Sequence, residues 1–268
     1  MNRNYLINQI KEKRSYLCVG LDTDLTKIPK HLQSHPDAVF EFNKAIIDAT
    51  KDHCVSYKIN TAFYEAMGLK GWEAMEKTLH HIPSTHLKIA DAKRGDIGNT
   101  SSQYAKAFFE TLPFDAITVA PYMGEDSVRP FLEYKDRFTI VLGLTSNKGA
   151  NDFEMLKTGQ QFLYEKVIEK IASWGTPDNL MFVIGATQAS ELTNIRTIIP
   201  DNFLLVPGIG FQGGSLKEVS KYGLNADGGL LVNASRAIIY AGGKERFADD
   251  AKQIAMEYQT EMGCYLPS

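Results

Sequence analysis

Leu87-Lys88-Ile89-Ala90-Asp91-Ala92-Lys93-Arg94-Gly95-Asp96-Ile97-Gly98-Asn99-Thr100-Ser101 reads as a buried strand, a charged strand end and a glycine turn into a helix. Leu87 to Ala90 is the apolar run. Asp91 and Lys93 follow it, and period-two alternation puts them on one face. Unlike charges at the end of a buried strand are costly to desolvate unless they pair or do chemistry. Gly95 and Gly98 let the chain turn, and Asn99, Thr100 or Ser101 is expected to cap the next helix. Spacing alone also fits a solvated turn with an incidental ion pair.

The same strand-then-helix unit recurs on both sides. A short polar helix over 2–14 comes first, with Leu6, Ile7 and Ile10 on one face. Apolar runs follow at 16–21, 54–59, 87–90, 115–120, 138–144, 180–185, 203–207 and 229–233. Helical periodicity appears at 36–51, 63–82 (interrupted near Gly68 and Gly71), 103–111, 124–134, 160–174, 187–199, 215–221 and 248–262. Continuous apolar runs imply strands covered on both faces, as in a parallel sheet. Eight such units in 268 residues point to an α/β chain forming one (β/α)8 TIM barrel, with a doubly wound open sheet as the runner-up. No linker-like tract divides residues 1–268, so a single domain is expected.

Composition narrows the class of function. A net charge of -3 gives no sign of a nucleic-acid or membrane partner. Three cysteines, Cys18, Cys54 and Cys264, fit a reducing compartment better than a disulfide framework, and no pair has metal-ligand spacing. There is no signal-peptide pattern and no long apolar span, so a cytoplasmic location is expected. The six histidines lie on helices or connections rather than at strand C-termini, and none is assigned to chemistry.

In such barrels the chemistry sits at the C-terminal ends of the strands. Asp22 follows the first run, Lys58 ends the second, and Asp91 and Lys93 end the third. Ser146 follows the fifth, Gln212 the seventh and Arg236 the eighth. All are expected at one mouth. Pro207-Gly208-Ile209-Gly210-Phe211-Gln212-Gly213-Gly214 precedes a short helix, and glycines let backbone N–H groups approach an anion. Arg236, in Asn233-Ala234-Ser235-Arg236, offers a planar fork for phosphate oxygens. The loops after strands seven and eight are the usual phosphate site of this architecture.

Together these stretches resemble the orotidine 5′-phosphate decarboxylase family, in its longer bacterial form. The resemblance is carried by Asp91 to Ser101, by Lys58-Ile59-Asn60-Thr61-Ala62-Phe63-Tyr64-Glu65, by Gly20-Leu21-Asp22 and Thr145-Ser146-Asn147, and by the two phosphate-loop stretches. It implies conversion of orotidine 5′-monophosphate (OMP) to uridine 5′-monophosphate (UMP) and CO2, the last step of de novo UMP synthesis, without metal or organic cofactor. It implies an alternating charge network of Lys58, Asp91, Lys93 and Asp96, with Lys93 as proton donor. Substrate contacts are implied for Asp22, Ser146, Pro207, Gln212 and Arg236. It also implies a homodimer in which Asp96, Ile97 and Thr100 reach the neighbouring site. At this length no fused phosphoribosyltransferase domain is expected. One departure is Ser235, where many relatives place glycine beside the arginine. Two other readings stay open. One is a Mg²⁺-dependent sugar-phosphate decarboxylase or aldol-type synthase of the same superfamily, which Lys58 on strand two argues against. The other is a non-catalytic nucleotide-binding barrel.

Overall fold

The computed structural model describes residues 1–209 and 213–267. Eight parallel strands close into a barrel: β1 Leu17–Gly20, β2 Ser56–Asn60, β3 Leu87–Arg94, β4 Ala116–Val119, β5 Phe138–Leu144, β6 Leu180–Ile184, β7 Leu204–Pro207 and β8 Leu230–Ala234. Each strand pairs with its neighbours in sequence. β8 returns to β1 through Leu17↔Val232 and Cys18↔Asn233. The open-sheet alternative is thereby excluded. The cause is the one read from the apolar runs. Every residue of β1, β4, β6 and β8 is buried, which requires cover on both faces.

The helix Arg3–Lys13 precedes the barrel, capped by the Asn2 side chain, which accepts the Tyr5 N–H. It buries Leu6, Ile7 and Ile10 as expected and ends at Arg14 in the left-handed region, φ 51°. The 63–82 stretch divides into the helices Thr61–Glu65 and Leu69–His81 at Gly68, φ 65°. Gly71 does not interrupt. It lies inside the second helix, where glycine is required because a Cβ would stand 1.7 Å from the Tyr64 carbonyl oxygen.

Three expectations are corrected. The helix after β3 starts at Gly98 rather than 103, and its N-cap is Ile97, with no side-chain capping bond. Ser101, expected as a possible cap, instead donates its hydroxyl to the Ser127 carbonyl at 2.6 Å, tying this helix to the next one. The loop after β5 carries an unforeseen two-stranded hairpin, Lys157–Thr158 with Gln161–Phe162, so the helix expected from 160 begins at Leu163. Among the described residues no helix is long and apolar enough to cross a membrane. All three cysteines are free.

At the end of the barrel away from the strand C-termini, Lys13 Nζ donates to the Lys51 and Cys54 carbonyls at 2.7 and 2.9 Å. It also lies 2.9 Å from His86 Nε2. Burial and then the neighbouring ammonium lower the imidazole pKa from 6.5 to about 4. Below pH 6.5 the unfolded histidine takes up a proton that the folded one refuses until about pH 4. Stability should therefore be lost as pH falls through this window, by on the order of 3 kcal/mol. Urea midpoints measured from pH 7 to 4 should show that slope, and His86→Gln should remove its share of it.

Candidate active site

The mouth is built by strand ends. β1 runs into Asp22, β2 presents Lys58, and β3 presents Asp91 and Lys93. Lys58 Nζ lies 3.0 Å from Asp22 Oδ1 and 3.1 Å from Asp91 Oδ2, and Lys93 Nζ lies 2.5 Å from Asp91 Oδ1. The result is an alternating chain, Asp22–Lys58–Asp91–Lys93. The Lys58 side chain is 3% exposed and that of Lys93 is 51% exposed, so one lysine is sealed in and the other faces the opening.

Electrostatics explains why the buried charges persist. Burial alone lowers the Lys58 pKa, but Asp22 and Asp91 outweigh it and hold the ammonium above its usual range. Burial likewise raises Asp91, but Lys58 and then Lys93 outweigh it, and the carboxyl falls to about 2. Asp91 is thus an anion at any physiological pH.

The backbone at Lys93 differs from a regular strand end. Ala90 pairs with Ile117 and Arg94 with Val119, so β3 has extra residues in this interval and bulges. Lys93 takes φ 47°, a left-handed conformation that a long side chain rarely adopts. The left-handed residues of this turn are Lys93 and Gly98, not Gly95. Thr118 of β4 sits in the bulge. Its hydroxyl accepts the Lys93 N–H at 2.9 Å and donates to Asp91 Oδ1 at 3.1 Å. Sequence reading missed Thr118, although a lone hydroxyl within Ala116-Ile117-Thr118-Val119 was a visible signal.

Asp96 stands apart from this chain. Its carboxylate accepts the Ile97 N–H at 2.8 Å and makes no ion pair with another described residue. Ile97 is 59% exposed and Thr100 is exposed.

A cavity of about 140 Å³ runs from Asp22, Lys58 and Asp91 to Pro207, Ser235 and Arg236. Gly208 bends the chain out of β7 at φ 100°. Gln212 lies outside the described residues. Ser235 holds φ -114°, so a side chain there meets no left-handed strain, and its hydroxyl donates to the Gly20 carbonyl at 3.0 Å. The departure from glycine is therefore accommodated. Asn233, not singled out from sequence, also lines the cavity, and its Oδ1 is buried without a protein partner. Ser146 follows β5 and packs against Gly185, where a Cβ would come within 2.7 Å of the Ser146 backbone nitrogen. Thr145 anchors this loop through Glu154, which accepts its N–H and its hydroxyl at 2.6 and 2.8 Å. Among the described residues no three His, Cys, Asp or Glu side chains converge as metal ligands.

Fold and site together define a (β/α)8 barrel whose mouth joins an aspartate–lysine chain to an arginine-bearing loop after β8. Residues 15–251 match the model of the orotidine 5′-phosphate decarboxylase / HUMPS family. The chain belongs to that family. It is 58% identical over 269 residues to orotidine 5′-phosphate decarboxylase of Christiangramia forsetii, with 99% of each chain covered. Among solved structures, Leishmania donovani OMP decarboxylase superposes with a TM-score of 0.82 at 37% identity, over 97% of this chain and 99% of that one. Leishmania donovani UMP synthase gives 0.84 at 38% identity, but the 96% of this chain that aligns spans only 56% of that longer protein.

Proposed function

We propose that this chain decarboxylates OMP to UMP and CO2 as one cytoplasmic catalytic domain over residues 1–268, without metal or organic cofactor. The Asp22–Lys58–Asp91–Lys93 chain is the observation that carries this reading. Breaking the bond from C6 to the carboxylate leaves an electron pair on a ring carbon. An ammonium fixed beside that carbon stabilises the developing charge, and Lys93 is the ammonium that faces the opening. Lys93 then gives C6 a proton from Nζ and recovers one from water, so no separate acid is needed. In this reading Asp91, anionic and held by two lysines, crowds the substrate carboxylate.

Asp22 and Lys58 serve as ribose hydroxyl partners, Ser146 as a pyrimidine contact, and Pro207, Gln212 and Arg236 as the phosphate end. The phosphate is remote from C6, so its binding energy can be spent on orientation at the reacting carbon.

The functional unit is a homodimer in this reading. Asp96 makes no ion pair with a described residue of its own chain, and the apolar Ile97 beside it is left largely exposed. Both features fit residues that complete a neighbour's site, with Thr100 alongside. The Mg²⁺-dependent alternative is disfavoured because an ammonium, Lys58, already occupies the space between Asp22 and Asp91. The non-catalytic alternative gives no reason to bury a lysine or to hold Lys93 in a left-handed conformation.

Incubation of purified protein with OMP in EDTA should convert the orotate absorbance to that of uridine. Activity lost in the chelator and restored by Mg²⁺ would overturn the metal-free reading. No conversion under any condition would overturn the activity itself.

A further inference from the structure

The bulge at Lys93 is held from inside the mouth by Thr118, and on its other side by a group that the reaction does not use. Arg94, the next residue, reaches back across the strand end. Its Nη1 donates to the Ala92 carbonyl at 2.9 Å, and its Nη2 pairs with Glu65 Oε1. Its guanidinium carbon stands 5.5 Å from the Tyr104 ring centre and 5.4 Å from that of Phe108. Its backbone carbonyl accepts the Ala120 N–H at 2.8 Å, which resumes pairing with β4 after the bulge. Glu65 ends the helix that leaves β2, the strand of Lys58. The guanidinium therefore fastens the β2 exit, the β3 end and the following helix at one point.

We infer that the Glu65–Arg94 pair is a positioning clamp that holds Lys93 in its left-handed conformation, so that its ammonium stays on Asp91. A left-handed lysine persists only where its surroundings over-determine it. The Arg94 guanidinium holds the Ala92 carbonyl just before Lys93, and the Arg94 carbonyl just after it is held by the Ala120 N–H, so the chain is tied on both sides of Lys93. Neither Arg94 nor Glu65 lines the cavity or pairs with Asp22, Lys58 or Asp91, so the effect passes through the backbone alone.

The inference rests on the proposed decarboxylase reading, and its test has one arm that does not depend on turnover. Arg94→Met keeps an aliphatic stem over the two rings, and Glu65→Gln keeps the side-chain shape without the charge. In OMP turnover, kcat should fall roughly 10²-fold in Arg94→Met and less in Glu65→Gln, with KM within a few-fold of wild type, because misplacing a reacting group costs rate rather than remote binding. The double variant should be no slower than Arg94→Met alone. With 15N-labelled lysine, the Lys93 ammonium signal, identified by its loss in Lys93→Ala, should be sharp in the wild type and broadened or shifted in both variants. An unchanged Lys93 signal in both variants, or a KM rise that matches the kcat loss, would overturn the clamp. If Arg94→Met fails to fold, Glu65→Gln decides by the same two readouts. Absence of OMP turnover in the wild type would sink the decarboxylase reading and leave the ammonium signal to judge the clamp.

Discussion

Replacing Lys93 by alanine should abolish decarboxylation while leaving UMP binding within a few-fold of wild type. Two contributions disappear together. Loss of a positioned proton donor costs roughly 10²- to 10⁴-fold. Loss of a preorganised charge beside the developing carbanion costs roughly 10²- to 10³-fold more. The expected fall in kcat is therefore at least about 10⁴-fold. Binding should survive because Pro207 and Arg236, the proposed phosphate contacts, line the cavity away from Lys93. The fold should survive because the Lys93 side chain is half exposed, and Asp91 keeps Lys58 at 3.1 Å. Stopped-assay absorbance with OMP and calorimetric titration with UMP check the two halves. Turnover within tenfold of wild type would remove Lys93 from the proton-donor role.

The second large effect is a recovery. Asp96→Ala alone and Lys93→Ala alone should each be nearly inactive. Mixed by co-refolding, equal amounts give about half heterodimers by random pairing within a two-fold assembly. If the partner subunit's Asp96 completes each site, one of the two sites in a heterodimer carries both defects and the other carries none. Activity should then rise to about a quarter of the wild-type level, with the wild-type KM. Heterodimers purified through two different tags and still inactive would confine Asp96 to its own subunit, or remove it from the site. The measurement also tests the dimer directly, since a monomer cannot complement.

Much of the fold was legible because parallel strands buried on both faces leave unbroken apolar runs, and β1, β4, β6 and β8 are such runs. Asp22, Lys58, Asp91 and Lys93 were legible because charges at the ends of such runs have few inexpensive places to go. The bulge was hidden. Gly95 stood two residues away and offered itself as the turn, whereas the left-handed backbone is paid for at Lys93 by contacts from β4 and from the helix after β2. Such contacts join residues distant in sequence and have no local pattern. Thr118 and Asn233 were overlooked for a related reason, since polar side chains inside apolar strands announce themselves only weakly. The early start of the helix at Gly98 escaped notice because its first turn holds no apolar side chain, and its one buried residue there, Ser101, is polar, so no hydrophobic period reveals the buried face.

The bulge bears also on how the barrel is assembled. Two apolar strands such as β3 and β4 match almost as well when slid past one another, and a slip of one residue would turn every side chain to the opposite face. Thr118 breaks that degeneracy. Its hydroxyl meets both the Lys93 N–H and the Asp91 carboxylate in a single alignment, and Arg94 opposes Val119 in that alignment alone. The charged groups at the mouth thus double as a registration mark: a chain that has docked β3 on β4 in the wrong phase has also failed to build its site.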